Sequence, residues 1–426
     1  MTILVFLASL LGAMAIGMPI AFSLLVCGVA LMWQVGIFDP QVLAQNLVDG
    51  ADSYPLLAVP FFLLAGELMN QGGLSRRIVG AAMAMIGHVR GGLGYVAIIA
   101  ALIMASLSGS AIADTAALAA LLIPMMRQAG YDVGRAGGLM AAGGIIAPVI
   151  PPSIGFVLFG SIAGVSVTKL FLAGIVPGLL MGLSLVLTWW WLSRTSTVKP
   201  TPRPSWPERL AAIRSAGWAL ILPVLIVVGM KMGVFTPTEA AVVAAVYSGL
   251  IGALVYRELT LAKLYRALVS AAKTSAVVMF LVAAAMVSAW LITVANIPDQ
   301  LIVLLKPFID NPMLLMFLMM AIVLIVGTAL DFTPTILILT PVLMPLVREA
   351  GIDPVYFGVL FIIANAIGLI TPPVGNVLNV VCSVAKVPMS DVIRGVWPFL
   401  LAQTLVLLIL IVWPSLVTGP MRWLMH

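Results

Sequence analysis

Residues 91–126 read GGLGYVAIIAALIMASLSGSAIADTAALAALLIPMM and carry one charged side chain, Asp114. An apolar run of this length exceeds the roughly 20 residues that one transmembrane helix needs. It is interrupted at 106–110 by Ser-Leu-Ser-Gly-Ser. Small polar residues inside an apolar run favour a turn, so the stretch predicts two helices joined at membrane depth.

The composition of the whole chain requires a membrane environment. Of the 426 residues, 63% are hydrophobic and 8% are charged, and the mean hydropathy is +1.21. Soluble domains carry roughly a quarter charged residues, so these values exclude a soluble globular fold and a disordered chain. The apolar runs are long and do not alternate, which predicts an all-α polytopic membrane protein and not a β-barrel.

Basic residues orient the predicted membrane segments. Loops 71–90, 194–214 and 257–273 are rich in Lys and Arg, whereas 34–53 has acidic residues and no basic ones. Basic loops lie in the cytoplasm, so the net charge of +6 reflects topology and not nucleic-acid binding. The number of crossings between the first two basic loops must then be even, although three apolar segments separate them. Segment 91–126 is therefore predicted to be a re-entrant hairpin that opens to the cytoplasm.

The two halves of the chain repeat without a gap at an offset of 221 residues. The matched residues are Pro124 with Pro345, Arg127 with Arg348, Asp132 with Asp353, Pro151-Pro152 with Pro372-Pro373, Gly174 with Gly395, and Pro177 with Pro398. The counterpart of the first hairpin, 313–347, would open to the outside, so the repeats are inverted across the membrane. Inverted repeats with broken helices are typical of secondary transporters, whose binding site lies near the midplane.

The turn of the first hairpin is the first candidate site. Its hydroxyls and carbonyls suit a hard cation such as Na⁺, and the N-terminal end of the return helix suits an anion. Small residues that ease helix packing are the alternative explanation.

Two tandem-proline stretches form the second candidate, at 143–153 and at 365–376. Tandem prolines interrupt a helix and free carbonyl groups in the span, although a simple packing kink is also possible. In the later copy, Asn365 and Thr371 add oxygen ligands that the earlier copy largely lacks.

The third candidate is the turn of the second hairpin, GTALDFTPT at 327–335. Its Asp331 aligns with Ser110 at the repeat offset. An ionisable residue inside a span indicates function, and this one is predicted to bind a cation, carry a proton or cap the return helix.

The absence of nucleotide-binding and metal-binding motifs excludes further classes of function. The chain has no G-x-x-x-x-G-K-[ST] loop, no H-E-x-x-H motif and only two histidines, so we expect neither ATP hydrolysis nor a metal site beyond sodium. An intramembrane enzyme is the least favoured class, because no nucleophile–base pair or metal cluster is present. We do not expect an enzyme.

The motifs as a set resemble the large membrane subunit (M, DctM-like) of tripartite ATP-independent periplasmic (TRAP) transporters. The motifs that carry the resemblance are PFFLLAGELMNQGGLSRRIV at 60–79, GHVRGGLG at 87–94, SGSAIADTAAL at 108–118, IPPSIGFVLFGSIAGVSVTKLFLAGIVPG at 150–178, GVFTPTEAAVVAAVY at 233–247, DFTPTILILTPVLMPL at 331–346 and GLITPPVGNVLNV at 368–380.

The resemblance implies an elevator-type secondary transporter of the bacterial inner membrane that is driven by Na⁺. It implies a small DctQ-like membrane subunit and a DctP-like periplasmic solute-binding protein that delivers an organic acid, such as a dicarboxylate or a sugar acid. A stand-alone secondary anion transporter or exchanger, without a binding protein, is the alternative.

The resemblance also implies which residues form the sites. One sodium site would comprise Ser108, Gly109, Ser110, Gly144 and Ala147, and the other Gly327, Asp331, Asn365, Thr371 and Gly375. The substrate anion would lie near Ser110, Asp114, Pro152 and Pro373.

The expected organisation follows from the repeat and the resemblance together. It consists of N-terminal scaffold helices (1–90), a first transport repeat (91–193, with hairpin 91–126 and broken helix 137–162), a cytoplasmic linker (194–214), further scaffold helices (215–312), a second transport repeat (313–416, with hairpin 313–347 and broken helix 355–385) and a C-terminal tail (417–426).

Overall fold

The computed structural model describes residues 2–194, 198, 202–297, 300, 302 and 308–425, and within them the secondary structure is helical without strands. The remaining parts of the predicted linker and of the second scaffold segment lie outside these residues. The first half contains α1 (Thr2–Ala15), α2 (Ile20–Val35), α3 (Pro40–Ala51), a 3₁₀ turn (Tyr54–Leu57), α4 (Ala58–Gln71), α5 (Leu74–Ile86), α6 (Gly92–Ser108), α7 (Ala111–Gln128), α8 (Val133–Gly144), α9 (Ile154–Ala163) and α10 (Val167–Ser193). The second half contains α11 (Trp206–Lys231), α12 (Pro237–Leu250), a π turn (Ile251–Val255), α13 (Leu261–Val294), α14 (Pro312–Ala329), α15 (Phe332–Glu349), α16 (Pro354–Gly368), α17 (Asn376–Ala385), α18 (Met389–Val412) and α19 (Ser415–Met425).

Many of these helices have the length and apolar composition of membrane spans. Among the described residues, seven are long and apolar enough to cross a bilayer, and an eighth span results if α3 and the segment Tyr54–Gln71, bent by 56°, count as one. The prediction of an all-α polytopic membrane protein is confirmed.

Several segments predicted as loops or tail are helical instead, and one of them, 257–273, belongs to α13 from Leu261 onward. Loop 34–53 contains α3, loop 71–90 contains α5, and the tail 417–426 belongs to α19 as far as Met425. In α5 the reason is amphipathicity: Leu74 and Ile78 are buried one turn apart, whereas Arg76 and Arg77 interrupt the apolar run and made the segment look like a basic loop. The linker is helical from Trp206, where a capping box starts α11.

The helix boundaries repeat at the offset found in the sequence. Helices α7 and α15, Ala111–Gln128 and Phe332–Glu349, begin and end 221 residues apart. The preceding helices end at Ser108 and Ala329, and the following ones begin at Val133 and Pro354. Each repeat thus contains a two-helix hairpin and then a helix that is broken at its Pro-Pro pair.

Reciprocal contacts join the two repeats. Arg127, at the base of the first hairpin, donates a hydrogen bond to the carbonyl of Ala385 (2.8 Å), beyond the break of the second repeat. Its counterpart Arg348 donates to the carbonyl of Ala163 (3.0 Å), beyond the break of the first. Each repeat thus makes the same contact to the other, which is the pattern expected when an approximate two-fold axis relates the two repeats.

The two hairpins open towards opposite ends of α10. The indole of Trp189, near the C-terminal end of α10, donates to the carbonyl of Gly91 (2.8 Å) at the base of the first hairpin. At the base of the second hairpin, Arg348 bonds Ala163, which lies just before α10 begins. The 27 residues of α10 span about 40 Å, so the two bases are a membrane thickness apart.

The basic loops predicted for the cytoplasm lie together. Arg90 donates to the carbonyl of Arg194 (2.6 Å), which joins loop 71–90 to the start of the linker. Arg77 forms an ion pair with Glu258 (2.7 Å), which joins the same loop to 257–273. These contacts place the three basic loops at one end of the bundle, as the charge pattern requires.

The predicted inversion of the hairpins across the membrane would give opposite accessibility to two exposed residues at repeat-equivalent positions, Gln128 and Glu349. With Cys27 and Cys382 replaced by alanine, we expect an impermeant maleimide to label Glu349→Cys in intact cells. Gln128→Cys should react only after the cells are permeabilised. Labelling of both variants from the same side would contradict the inverted arrangement.

Candidate functional site

The tip of the first hairpin is a tight turn between α6 and α7. Gly109 has a φ of +63°, a left-handed conformation that glycine adopts without steric cost. Ser110 caps α7, because its hydroxyl accepts a hydrogen bond from the Ala113 amide (3.4 Å). The Ser110 amide donates to the Ser108 hydroxyl (3.2 Å). The turn therefore holds two serine hydroxyls at the N-terminal end of a helix.

Asp114 lies behind this tip. The Ser108 hydroxyl donates to its Oδ1 (2.5 Å), and the residue is 2% exposed. Its Oδ2 is buried without a hydrogen-bond partner, and so is the hydroxyl of the adjacent Thr115. The first hairpin thus contains buried oxygen atoms that accept no hydrogen bond from the described residues.

The break between α8 and α9 lies directly against the first tip. Ser153 caps α9 by accepting from the Phe156 amide (3.2 Å) and donates to the carbonyl of Pro148 (2.5 Å). A Cβ on Gly109 would lie 2.7 Å from the carbonyl oxygen of Pro152. The tip and the break can therefore pack this closely only with glycine at 109.

Gly144, at the end of α8, packs closely against α7. A Cβ at this position would overlap the Thr115 hydroxyl and would lie 3.1 Å from the carbonyl oxygen of Ala111. The missing side chain leaves room for Thr115 beside the break.

In the second repeat, Asn365 occupies the position equivalent to Gly144. Its amide nitrogen donates to the carbonyl of Phe332 (2.8 Å), the counterpart of Ala111. Its Oδ1 is buried without a partner and faces Gly327, where a Cβ would lie 2.9 Å away. The two repeats therefore share a backbone arrangement but present different oxygen atoms.

Asp331 forms the tip of the second hairpin and begins α15. Its side chain makes no capping bond, so the capping role considered from the sequence does not describe its carboxylate. Instead its Oδ1 accepts from the amide of Asn376 (2.6 Å), at the start of α17. The second tip is thus joined to the end of the second break.

Both tips border one cavity of about 650 Å³. They contribute 108–113 and 331–334, and the opposite wall comes from α2, α4 and α13. Among the described lining residues, the charged ones are Glu67 and Asp331, and none is Lys or Arg. Glu67 is fixed to α13, because its carboxylate accepts from the Ser270 hydroxyl (2.8 Å).

The structure brings some of the predicted site residues to this cavity and places others behind it. Ser108, Gly109, Ser110 and Asp331 line it. Buried behind the tips are Gly144, Ala147, Gly327, Asn365 and Asp114. Of the remaining four, Thr371, Gly375 and Pro373 belong to the second break and Pro152 belongs to the first. Of the four residues predicted for the substrate, Ser110 alone is a lining residue.

The scaffold wall of the cavity was not part of the predicted site. It includes Phe62, Gly66, Glu67 and Asn70 on α4, and Thr274 and Leu281 on α13. The α4 residues belong to the motif PFFLLAGELMNQ, whose polar residues Glu67 and Asn70 recur at three-residue spacing on one helix face. This spacing is the feature of the sequence that indicates a polar face on α4.

A family model described as "Tripartite ATP-independent periplasmic transporter, DctM component" matches residues 7–416. The chain belongs to this family. The TRAP large permease YiaN of Escherichia coli, named for 2,3-diketo-L-gulonate, is 56% identical over 100% of both chains. The C4-dicarboxylate TRAP large permease DctM of Pseudomonas aeruginosa is 38% identical over 91% of this chain and 92% of its own.

A solved structure agrees with the fold. The crystal structure of the YdaH transporter of Alcanivorax borkumensis matches with a TM-score of 0.64 and covers 89% of this chain and 88% of its own, at 17% identity. At this identity the likeness concerns the fold alone. Family membership and the apolar spans together make the chain a multi-pass TRAP permease of the inner membrane, a transport protein and not an enzyme.

Gly144→Ala tests the contact between tip and break. We expect a lower melting temperature, equivalent to about 1–3 kcal/mol, because the new methyl group overlaps Thr115. Gly80→Ala is the matched control: it lies on α5, and a Cβ there would have no neighbour within 4 Å. Equal melting temperatures for the two variants, measured in the same detergent, would refute the close approach.

Proposed function

We propose that this TRAP permease imports an organic acid and that a Na⁺ gradient drives the import. In this proposal a DctP-like periplasmic binding protein delivers the acid and a DctQ-like small membrane subunit packs beside the chain. The observation that carries the proposal is the single cavity bordered by the tips of both repeats.

The electrostatics of the cavity support an anion that is balanced by helix ends and cations. Helices α7 and α15 begin at the two tips, so their N-terminal ends, which carry partial positive charge, are at the cavity. The described lining contains no basic side chain. A carboxylate would therefore be held by backbone amides, by hydroxyls such as that of Ser110, and by nearby bound Na⁺.

Unpartnered buried oxygens support cation binding at the breaks. The Oδ1 of Asn365 and the Oδ2 of Asp114 have no hydrogen-bond donor, and leaving such atoms unsatisfied costs free energy. Oxygen atoms are the ligands that Na⁺ prefers. We assign one sodium site to Ser108, Gly109, Ser110, Gly144 and Ala147, and the other to Gly327, Asp331, Asn365, Thr371 and Gly375.

The position of the cavity also supports an elevator mechanism. One wall comes from the hairpins of the repeats and the other from α2, α4 and α13, outside the repeats. Substrate at such a boundary can be carried across the membrane if the repeats slide against the scaffold helices.

The relatives suggest the class of acid. The YiaN relative, similar over the full length, is named for 2,3-diketo-L-gulonate, a sugar acid, and the more distant DctM relative for C4-dicarboxylates. A cavity of about 650 Å³ lies in the range of small-molecule sites. Sugar acids are therefore the first substrates to test.

The central test is uptake of a radiolabelled sugar acid by proteoliposomes that contain the permease, its small subunit and its binding protein. We expect uptake with an inward Na⁺ gradient and negligible uptake with K⁺ in its place. Equal uptake in both conditions would overturn Na⁺ coupling. Uptake by the chain alone would instead support a stand-alone anion transporter or exchanger.

Ser108→Ala and Thr371→Ala test the two sodium sites. Each removes one proposed oxygen ligand, so we expect the Na⁺ concentration for half-maximal uptake to rise about tenfold, equivalent to about 1.4 kcal/mol. Thr404→Ala is the matched control, because Thr404, like Thr371, donates its hydroxyl to a carbonyl one helical turn earlier but lies on α18, away from the tips. A Na⁺ titration unchanged in both site variants would remove the assignment.

A further inference from the structure

We propose that Arg209 and His88 form a binding site for the phosphate of an anionic phospholipid, at the end of the bundle where the basic loops meet. The site is remote from the transport cavity and does not depend on the proposed function.

Arg209 is a buried cation without a counter-ion. It is 5% exposed, and its Nε has no hydrogen-bond partner. The ion pairs found among the described residues involve Arg76, Arg77 and Glu258. The neighbouring Glu208 is engaged in helix capping, since its carboxylate accepts from the Ser205 amide (2.7 Å). The Trp206 ring lies 5.5 Å from the guanidinium carbon, but no ion pair among the described residues neutralises the charge, and a buried charge without a counter-ion is costly.

His88 adds a second buried donor. Its Nε2 lies 3.4 Å from the Arg209 Nη2. Because a guanidinium cannot accept a hydrogen bond, Nε2 must be the acceptor and the ring proton must be on Nδ1. Desolvation, followed by the charges of Arg209 and Arg203, lowers the pKa of His88, which favours the neutral ring. The Nδ1 atom of His88 is buried and has no hydrogen-bond partner among the described residues. The N–H groups at His88 Nδ1 and Arg209 Nε are therefore both unsatisfied.

The surrounding charge favours an anion. The segment 194–214, which includes Arg209, carries five basic residues and one acid. Arg90, two residues after His88, donates to the carbonyl of Arg194 and so brings a further cation to this segment. Basic pockets at the cytoplasmic ends of transmembrane helices are typical sites for lipid phosphate.

The apolar surface beside the pair indicates a lipid and not free phosphate. On the first turns of α11, Trp206 (71% exposed) and Leu210 (56% exposed) lie one turn apart, and Ile213 continues the same face. Tryptophan is enriched where a helix crosses the headgroup region. An acyl chain can follow this face while the phosphate reaches Arg209 and His88.

The experiment is a lipid titration of the intact, delipidated chain in detergent, read as Tm and as bound lipids by native mass spectrometry. The probes are phosphatidylglycerol, phosphatidylcholine and inorganic phosphate. We expect phosphatidylglycerol to raise Tm and to give a tightly bound lipid, and the other two probes to have little effect. Arg209→Gln and His88→Gln should each weaken phosphatidylglycerol binding at least fivefold.

Arg214→Gln removes an exposed cation from the same helix and should bind lipid like the unmodified chain. If Arg209→Gln does not fold, His88→Gln decides the question, because it keeps a polar side chain of similar reach. Equal stabilisation by inorganic phosphate, equal weakening in Arg214→Gln, or unchanged binding in His88→Gln would overturn the proposal.

Discussion

Inside a bilayer, a backbone amide or carbonyl that leaves a helix has no water to bond, so every break in a helix must be satisfied by protein or line a cavity. This constraint governs the whole architecture. The tips and the breaks of the two repeats cover one another. In the first repeat Gly109 packs against Pro152, and in the second the side chain of Asn376 donates a hydrogen bond to Asp331. The N-terminal helix ends thereby come to one cavity, which a continuous helix would not provide.

The helices of the two repeats are interrupted at equivalent positions, but the side chains at these positions differ. Where the first has Gly144 and leaves room for Thr115, the second has Asn365, which bonds the carbonyl of Phe332. Where the first tip has Ser110, the second has Asp331. The breaks therefore lie at equivalent positions in the two repeats, and the differing side chains place different oxygen atoms beside them.

The sequence predicted most of the architecture, because the bilayer makes apolar length and basic charge decisive. The first hairpin followed from the basic loops and the serine-rich interruption at 106–110, and its counterpart and the breaks followed from prolines and glycines in register. The helices in 34–53 and 71–90 did not, because amphipathic helices such as α5 carry charge on one face and so do not form a continuous apolar run. At the site, Ser110 and Asp331, which the sequence singled out at the two tips, line the cavity. The scaffold wall was missed, because the three-residue spacing of Glu67 and Asn70 marks a polar helix face but does not show which elements that face meets.

The measurement that tests this account most directly is a cryo-electron microscopy structure of the assembled transporter with Na⁺ and a transported acid. The account predicts density for the carboxylate between 108–113 and 331–334, facing α4 and α13, with an ion at each break. Substrate bound away from both tips, or a carboxylate held by Lys or Arg side chains, would contradict it.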